Sequence, residues 1–186
     1  MEILSFNTLP STQQYLMHAI AKKELHAPVA VLAKQQTSGV GSRDNSWEGG
    51  EGNFFVSMAI PLELLPSDLP LRSASIYFSF IMRKILSDKS EKVWLKWPND
   101  LYIGDEKIGG TITQKVGTII VCGMGINLKK SQNGYSALDL DIQPDNLLKE
   151  YISALEKFPE WKHIFSQYEV EFASSRRFSV HIENNK

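Results

Sequence analysis

The sequence predicts an α+β domain built around a mixed central β-sheet. Apolar runs of strand length recur through the first two thirds of the chain, helical periodicity is bunched between and after them, and no segment repeats internally. With 186 residues, 42 % of them hydrophobic, the chain has apolar material for one cored domain and little for a second.

Residues 3–6 form a short first strand, and Ser11 or Thr12 caps a helix with Tyr15, Leu16, Ala19 and Ile20 on one face. Residues 29–33 are continuously apolar, the pattern of a strand covered on both sides. Residues 35–52 are rich in glycine, serine, asparagine and charge, and read as a mobile functional loop between strands. Residues 53–60 make another strand, 61–70 a connection, and 72–86 a helix with Ile76, Phe80, Ile81 and Ile85 near one stripe. Residues 101–103 and a strand opening at Lys107 flank a reversal at Gly104-Asp105-Glu106, and residues 108–114 and 118–124 form a hairpin. A polar, irregular stretch at 127–143 leads into helices at 144–157 and 160–174, with a last strand at 178–182.

Charge and cysteine content exclude several classes of function. Twenty basic and 21 acidic residues leave a formal net charge of −1, so no global field draws in nucleic acid or an anionic membrane. The single cysteine, Cys122, rules out an intramolecular disulfide and suits a reducing compartment. The first residues lack a basic, then apolar, leader pattern, and no apolar run reaches membrane-spanning length. The expected location is cytoplasmic.

The densest chemistry lies in Lys96-Trp97-Pro98-Asn99-Asp100-Leu101-Tyr102 and Lys107-Ile108-Gly109-Gly110. Proline fixes a bend after Trp97, Asn99 and Asp100 can cap or bridge it, and Lys107 sits on the strand beyond. Preorganised cations of this kind suit phosphate chemistry, because they act where negative charge develops. Two glycine segments accompany it. Gly39-Val40-Gly41, after Gln36, lets backbone N–H groups wrap an anion, and Trp47 nearby either stacks on a ligand or packs back onto the domain. Gly123 and Gly125 end an apolar strand, where they form a bulge or let a flat ligand lie against the backbone; Asn127 follows, with an amide able to read an adenine edge. Ser11-Thr12-Gln13 taken alone is a helix cap.

In order and spacing, over roughly residues 3–130, these pieces resemble the biotin protein ligases. The resemblance implies a class II aminoacyl-tRNA synthetase-like catalytic domain over 1–177, with helices mainly on one sheet face, and a strand at 178–186 as the remnant of an SH3-like domain. It implies an enzyme that joins biotin to ATP, with Mg2+, as biotinyl-5′-AMP, and passes the acyl group to a lysine of a biotin carboxyl carrier protein, a subunit of acetyl-CoA or pyruvate carboxylase. Lys107 takes the catalytic position. Ser11, Thr12, Gln13, Gln36, Gly39 and Gly41 fall with biotin, as do Lys107, Gly110, Ile112, Gly123 and Gly125. Arg43, Trp47, Lys96, Asn99, Asp100 and Asn127 fall on the nucleotide or magnesium side, and no metal ligand is singled out further.

The chain also departs from that family. Its usual loop, Gly-Arg-Gly-Arg-x-Gly-Arg-x-Trp, is here Gly39-Val40-Gly41-Ser42-Arg43-Asp44-Asn45-Ser46-Trp47, leaving only Arg43, one place off register, to hold phosphate. A looser grip on the adenylate is the expected consequence. The winged-helix DNA-binding region of the repressor-type members has no counterpart in the sequence, so no operator binding is expected. A relative that transfers lipoate or octanoate, with Cys122 as the sole thiol candidate, and a non-catalytic biotin- or adenylate-binding module are the alternatives. A free strand edge could seat a second copy or a carrier domain, and the sequence favours neither.

Overall fold

The computed structural model describes residues 1–41, 46–90, 93–129 and 136–175. Strand β1 (Glu2–Leu9) is followed by helix α1 (Thr12–Ala21) and by β2 (Val29–Val40), β3 (Ser46–Gly49) and β4 (Phe54–Pro61). Helix α2 (Ala74–Ser87) precedes β5 (Val93–Lys96), β6 (Asp100–Ile103), β7 (Glu106–Val116) and β8 (Ile119–Ile126). Helices α3 (Pro144–Leu155) and α4 (Trp161–Ser175) come last. Seven strands run in the order β1-β2-β4-β8-β7-β6-β5, and β3 pairs with β2 off that path. The β1–β2 pair is parallel and the others antiparallel, the mixed sheet the sequence predicts.

Alternation along the central strands builds two cores. Val56, Met58, Cys122 and Met124 face one side, where Phe80 and Ile81 of α2, Tyr151 of α3 and Tyr168 of α4 complete the larger cluster. Val31, Ala59 and Val121 face the other side and pack under Leu16 and Ile20 of α1. Three helices therefore cover one face and one covers part of the other. Helix α2 carries the predicted stripe but is buried nearly all round, with Tyr77, Phe78 and Met82 inaccessible as well. It lies between the sheet and the last two helices, which removes its solvent face.

Two strands go beyond the sequence reading. Where a loop is expected over residues 35–52, β2 runs on to Val40 and β3 returns along it, pairing Gly39 with Trp47 and Val40 with Ser46. The residues of this ribbon are mostly polar or glycine, so they give no apolar alternation to mark it. Strand β5 is four residues long, with Val93 and Leu95 inward, and ends on Lys96 of the motif itself. Helix α4 covers its edge: the Glu171 carboxylate accepts the Leu95 N–H at 3.2 Å and pairs with Arg83 of α2. Burial raises the Glu171 pKa, against the opposing pull of Arg83. Arg43 and the strand expected at 178–182 lie outside the described residues.

The Tyr151 hydroxyl, fully buried, donates to the Phe78 carbonyl at 3.0 Å and joins α3 to α2. Tyr151→Phe should cost about 1 kcal/mol in urea denaturation. No change would mean that this bond adds nothing to the packing of the two helices.

Candidate active site

A cavity of about 480 Å³ opens on the α1 side of the sheet, bounded by the start of α1, the middle of β4, the glycines of β7 and β8, and the β2–β3 ribbon. One end of it is polar and uncharged. Ser11 caps α1 through the Gln14 N–H, so Thr12 and Gln13 stand in the first turn with their side chains inside. The Thr12 N–H and hydroxyl reach Gln36 Oε1 at 2.7 and 3.0 Å, and the hydroxyl meets Ser57 Oγ at 3.0 Å. Gln13 Nε2 donates to Gln114 Oε1 at 3.2 Å and to the Val121 carbonyl at 3.3 Å.

Glycines make this crowding possible. A Cβ on Gly123 would stand 2.5 Å from Gln13 Oε1 and 3.2 Å from Ser57 Oγ. One on Gly39 would collide with the Trp47 carbonyl and lie 2.8 Å from Gln36 Nε2. One on Gly125 would fall 2.6 Å from Trp47 Nε1, because the indole rests against the β8 backbone. Trp47 thus packs back onto the domain and walls the cavity at the same time.

The other end is charged, and a β-bulge creates it. Gly109 pairs with Leu101 but Lys107 pairs with Tyr102, so β7 carries one residue more than β6 at Ile108. Regular alternation would put residues 108 and 110 on one face. Instead Ile108 is fully buried in the larger core while Lys107 and Gly110 both line the cavity. Lys107 Nζ pairs with Asp100 Oδ1 at 2.8 Å and lies 5.9 Å from the Trp47 ring centroid. Gly110 leaves the room for that pair, since a Cβ there would lie 3.2 Å from Asp100 Oδ1.

Asn99 holds the bend against β7: its carbonyl accepts the Thr111 N–H at 3.0 Å and its Nδ2 donates to the Thr111 carbonyl. Asn127 fastens the segment after β8, its N–H to the Ile108 carbonyl at 2.7 Å and its Nδ2 to Ser136 O at 3.1 Å.

Most of the residues singled out in the sequence therefore meet in one place. Gly39 and Lys96 do not line the cavity. Gly39 supports Gln36 and Trp47 from behind, and Lys96 Nζ lies 3.2 Å from the Tyr102 hydroxyl and 4.9 Å from its ring centroid. Lys96 still shares a sheet face with Asp100, its cross-strand partner.

Ser57 and Thr111 line the cavity and escape the sequence reading. Each is a buried hydroxyl in a strand, and a serine inside the apolar run of β4 is a signal that a polar partner is needed. Three lining atoms, Gln13 Oε1, Trp47 Nε1 and Thr111 Oγ1, are buried without a hydrogen-bond partner among the described residues. Buried polar atoms are paired in native proteins as a rule, so an acceptor, a donor and a hydroxyl left over on residues that line one cavity make it a candidate ligand site.

Asp100 is the one carboxylate among the described lining residues, and these residues form no cluster of three acidic, His or Cys side chains for a metal. Cys122 is fully buried on the opposite face, where burial pushes its thiol far above the usual range.

Comparison with known proteins agrees with this geometry. The model of the biotin/lipoate A/B protein ligase family matches residues 5–130. A structure of biotin acetyl coenzyme A carboxylase synthetase from Helicobacter pylori, with bound biotinylated ATP, superposes with a TM-score of 0.91 at 38 % identity, covering 97 % of this chain and 85 % of the other. The bifunctional ligase/repressor BirA of Escherichia coli is 35 % identical over 127 residues, 64 % of this chain and 38 % of that protein. A biotin–acetyl-CoA-carboxylase ligase of Paracoccus denitrificans is 30 % identical over 110 residues, 53 % of this chain and 43 % of that protein. The chain thus spans about two fifths of the length of these curated relatives.

Gly125→Ala forces the Trp47 indole off β8. Tryptophan fluorescence should shift while the far-ultraviolet dichroism stays that of the parent; an unchanged emission spectrum would contradict the seating of Trp47.

Proposed function

This chain belongs to the biotin/lipoate A/B protein ligase family, and we propose that within it the chain is an ATP-dependent biotin–protein ligase. The observation that carries the reading is the pairing of a polar, uncharged pocket end with a lysine-bearing end in one cavity. The ureido ring of biotin presents two N–H donors and a carbonyl acceptor. Gln13 Oε1 can accept from it, and the Ser57 hydroxyl, 3.0 Å from Thr12 Oγ1 in the free protein, can turn to donate. The valerate chain then runs along Gly123, past the Trp47 indole that covers Gly125, and its carboxylate reaches Lys107.

The first reaction brings a carboxylate against the α-phosphorus of ATP. A carboxylate oxygen forms the new P–O bond while the bond to the β-phosphate oxygen breaks, and pyrophosphate leaves. Two anions repel at that distance, and Lys107 offsets the repulsion by standing between them. Asp100 holds the ammonium at the cavity wall before substrates arrive. The nucleotide lies toward Asn99 and Asn127, with Lys96 on the same sheet face for the outer phosphates.

Magnesium accompanying ATP would need few protein ligands beside the phosphate oxygens, and Asp100, the one carboxylate among the described lining residues, would supply one and so offset phosphate charge. In the second reaction a carrier lysine amine attacks the acyl carbon, AMP leaves with the C–O electron pair, and the amine loses its proton. The acceptor is a biotin carboxyl carrier protein of acetyl-CoA or pyruvate carboxylase, and the catalytic unit is residues 1–177. A chain with one buried thiol, and with no helix among the described residues long and apolar enough to cross a membrane, fits work in the cytoplasm.

Transfer of lipoate or octanoate fits less well. A dithiolane ring would leave Gln13 Oε1 without a donor, and Cys122 is sealed in the core away from the cavity.

With biotin and ATP the protein should release pyrophosphate, and Lys107→Ala should slow that release by at least ~100-fold while biotin still binds. Full activity in that variant would reduce Lys107 to a solvated strand lysine. Lipoate in place of biotin should be used less well by a factor on the order of 10⁴, because the buried polar groups lose their partners. Equal use would overturn the biotin assignment.

A further inference from the structure

Gln114 is an exposed residue of β7, paired across the sheet with Val121 of β8, and it does not line the cavity. Its Oε1 accepts from Nε2 of Gln13 at 3.2 Å. Gln13 is 3 % exposed and does line the cavity. The same Nε2 meets the Val121 carbonyl at 3.3 Å and the Met17 sulfur at 3.7 Å. All three partners of this end of the Gln13 amide are therefore acceptors. The other end, Oε1, is buried without a partner among the described residues. It lies over Gly123, where an added Cβ would stand 2.5 Å from it and 3.2 Å from Ser57 Oγ.

A glutamine amide can be turned end for end at little steric cost, because its oxygen and nitrogen are nearly the same size. Its direction is set by what each end meets. Reversal would bring Gln13 Oε1 against the Val121 carbonyl, which has no proton to give, and would present an NH2 group beside Ser57. Val121 opposes reversal through the backbone of β8, and Gln114 opposes it through a side chain that the sequence is free to change.

We infer that Gln114 is a positioning residue that keeps the Gln13 oxygen toward the cavity, and so selects a ligand that presents an N–H donor there. This deepens the proposed function and rests on it, the donor being a ureido N–H of biotin. Gln114 acts only through Gln13, from outside the cavity wall.

Three substitutions separate this role from others. Gln114→Glu keeps an acceptor opposite Nε2, Gln114→Leu removes it, and Gln114→Lys sets an ammonium donor against the Gln13 NH2 group and favours the reversed amide. Position 114 is exposed, so all three variants should keep the parental thermal midpoint. Charge acting at a distance on biotin, which is an anion, would give the opposite ranking, with Gln114→Lys the tightest binder and Gln114→Glu the weakest.

Biotin affinity is measured by calorimetry on the whole chain. Gln114→Glu should bind within about twofold of the parent, Gln114→Leu about 5-fold more weakly, and Gln114→Lys at least ~10-fold more weakly. In pyrophosphate release at saturating ATP, the loss should appear in KM for biotin with kcat unchanged, because the Gln13 contact is the same before and during the reaction. Parental affinity in Gln114→Leu or Gln114→Lys, a Gln114→Glu variant as weak as Gln114→Leu, or a loss confined to kcat would each overturn the inference. A parent that fails to bind biotin at all would instead overturn the proposed function on which it rests.

Discussion

One extra residue in β7 determines which end of this cavity is charged. A regular strand would turn residue 107 toward the larger core and Ile108 toward the cavity, and Lys107 would no longer line it. The bulge exchanges them, so that Ile108 joins the larger core and Lys107 meets Asp100 at 2.8 Å above Gly110. The apolar burial of Ile108 holds the bulge in place, because a slip back to regular pairing would expose that side chain and bury a lysine. The charge at this end of the cavity is thus fixed by a hydrophobic contact on the opposite face of the sheet.

The uncharged end follows a different rule. There the backbone is brought close by removing side chains, at Gly123 for Gln13 and Ser57 and at Gly125 for the Trp47 indole. Among the described residues, not all of the polar atoms gathered there have a partner. Such atoms cost stability in the free protein and return it when a ligand supplies the missing partners, which is also how a site rejects molecules that lack them. This end is therefore locally under-satisfied, while the core beneath it is closely packed and apolar.

What could be read from the sequence follows from how local each signal is. Helix α1 and its cap, α2, the β7–β8 hairpin and the last two helices depend on neighbouring residues, and they lie where periodicity and turn residues place them. The outer part of β2 and the whole of β3 were hidden, because a polar ribbon pairs through its backbone and leaves no alternation of apolar residues. The bulge was hidden for a deeper reason: register belongs to a pair of strands, and the run Lys107-Ile108-Gly109-Gly110 does not state which residue of β6 it faces. Ser57 was concealed within the apolar run of β4. Gly39 illustrates the reverse case, a residue legible as a loop glycine that admits Gln36 and Trp47 and does not itself line the cavity.

The most direct measurement is a crystal structure of the protein with a non-hydrolysable analogue of biotinyl-5′-AMP. The account requires the ureido group at the Thr12–Gln13–Ser57 end and Lys107 Nζ within ~3 Å of both the acyl oxygen and the group that replaces the phosphate. A complex in which Nζ points into solvent, with the linkage held by other side chains, would contradict it.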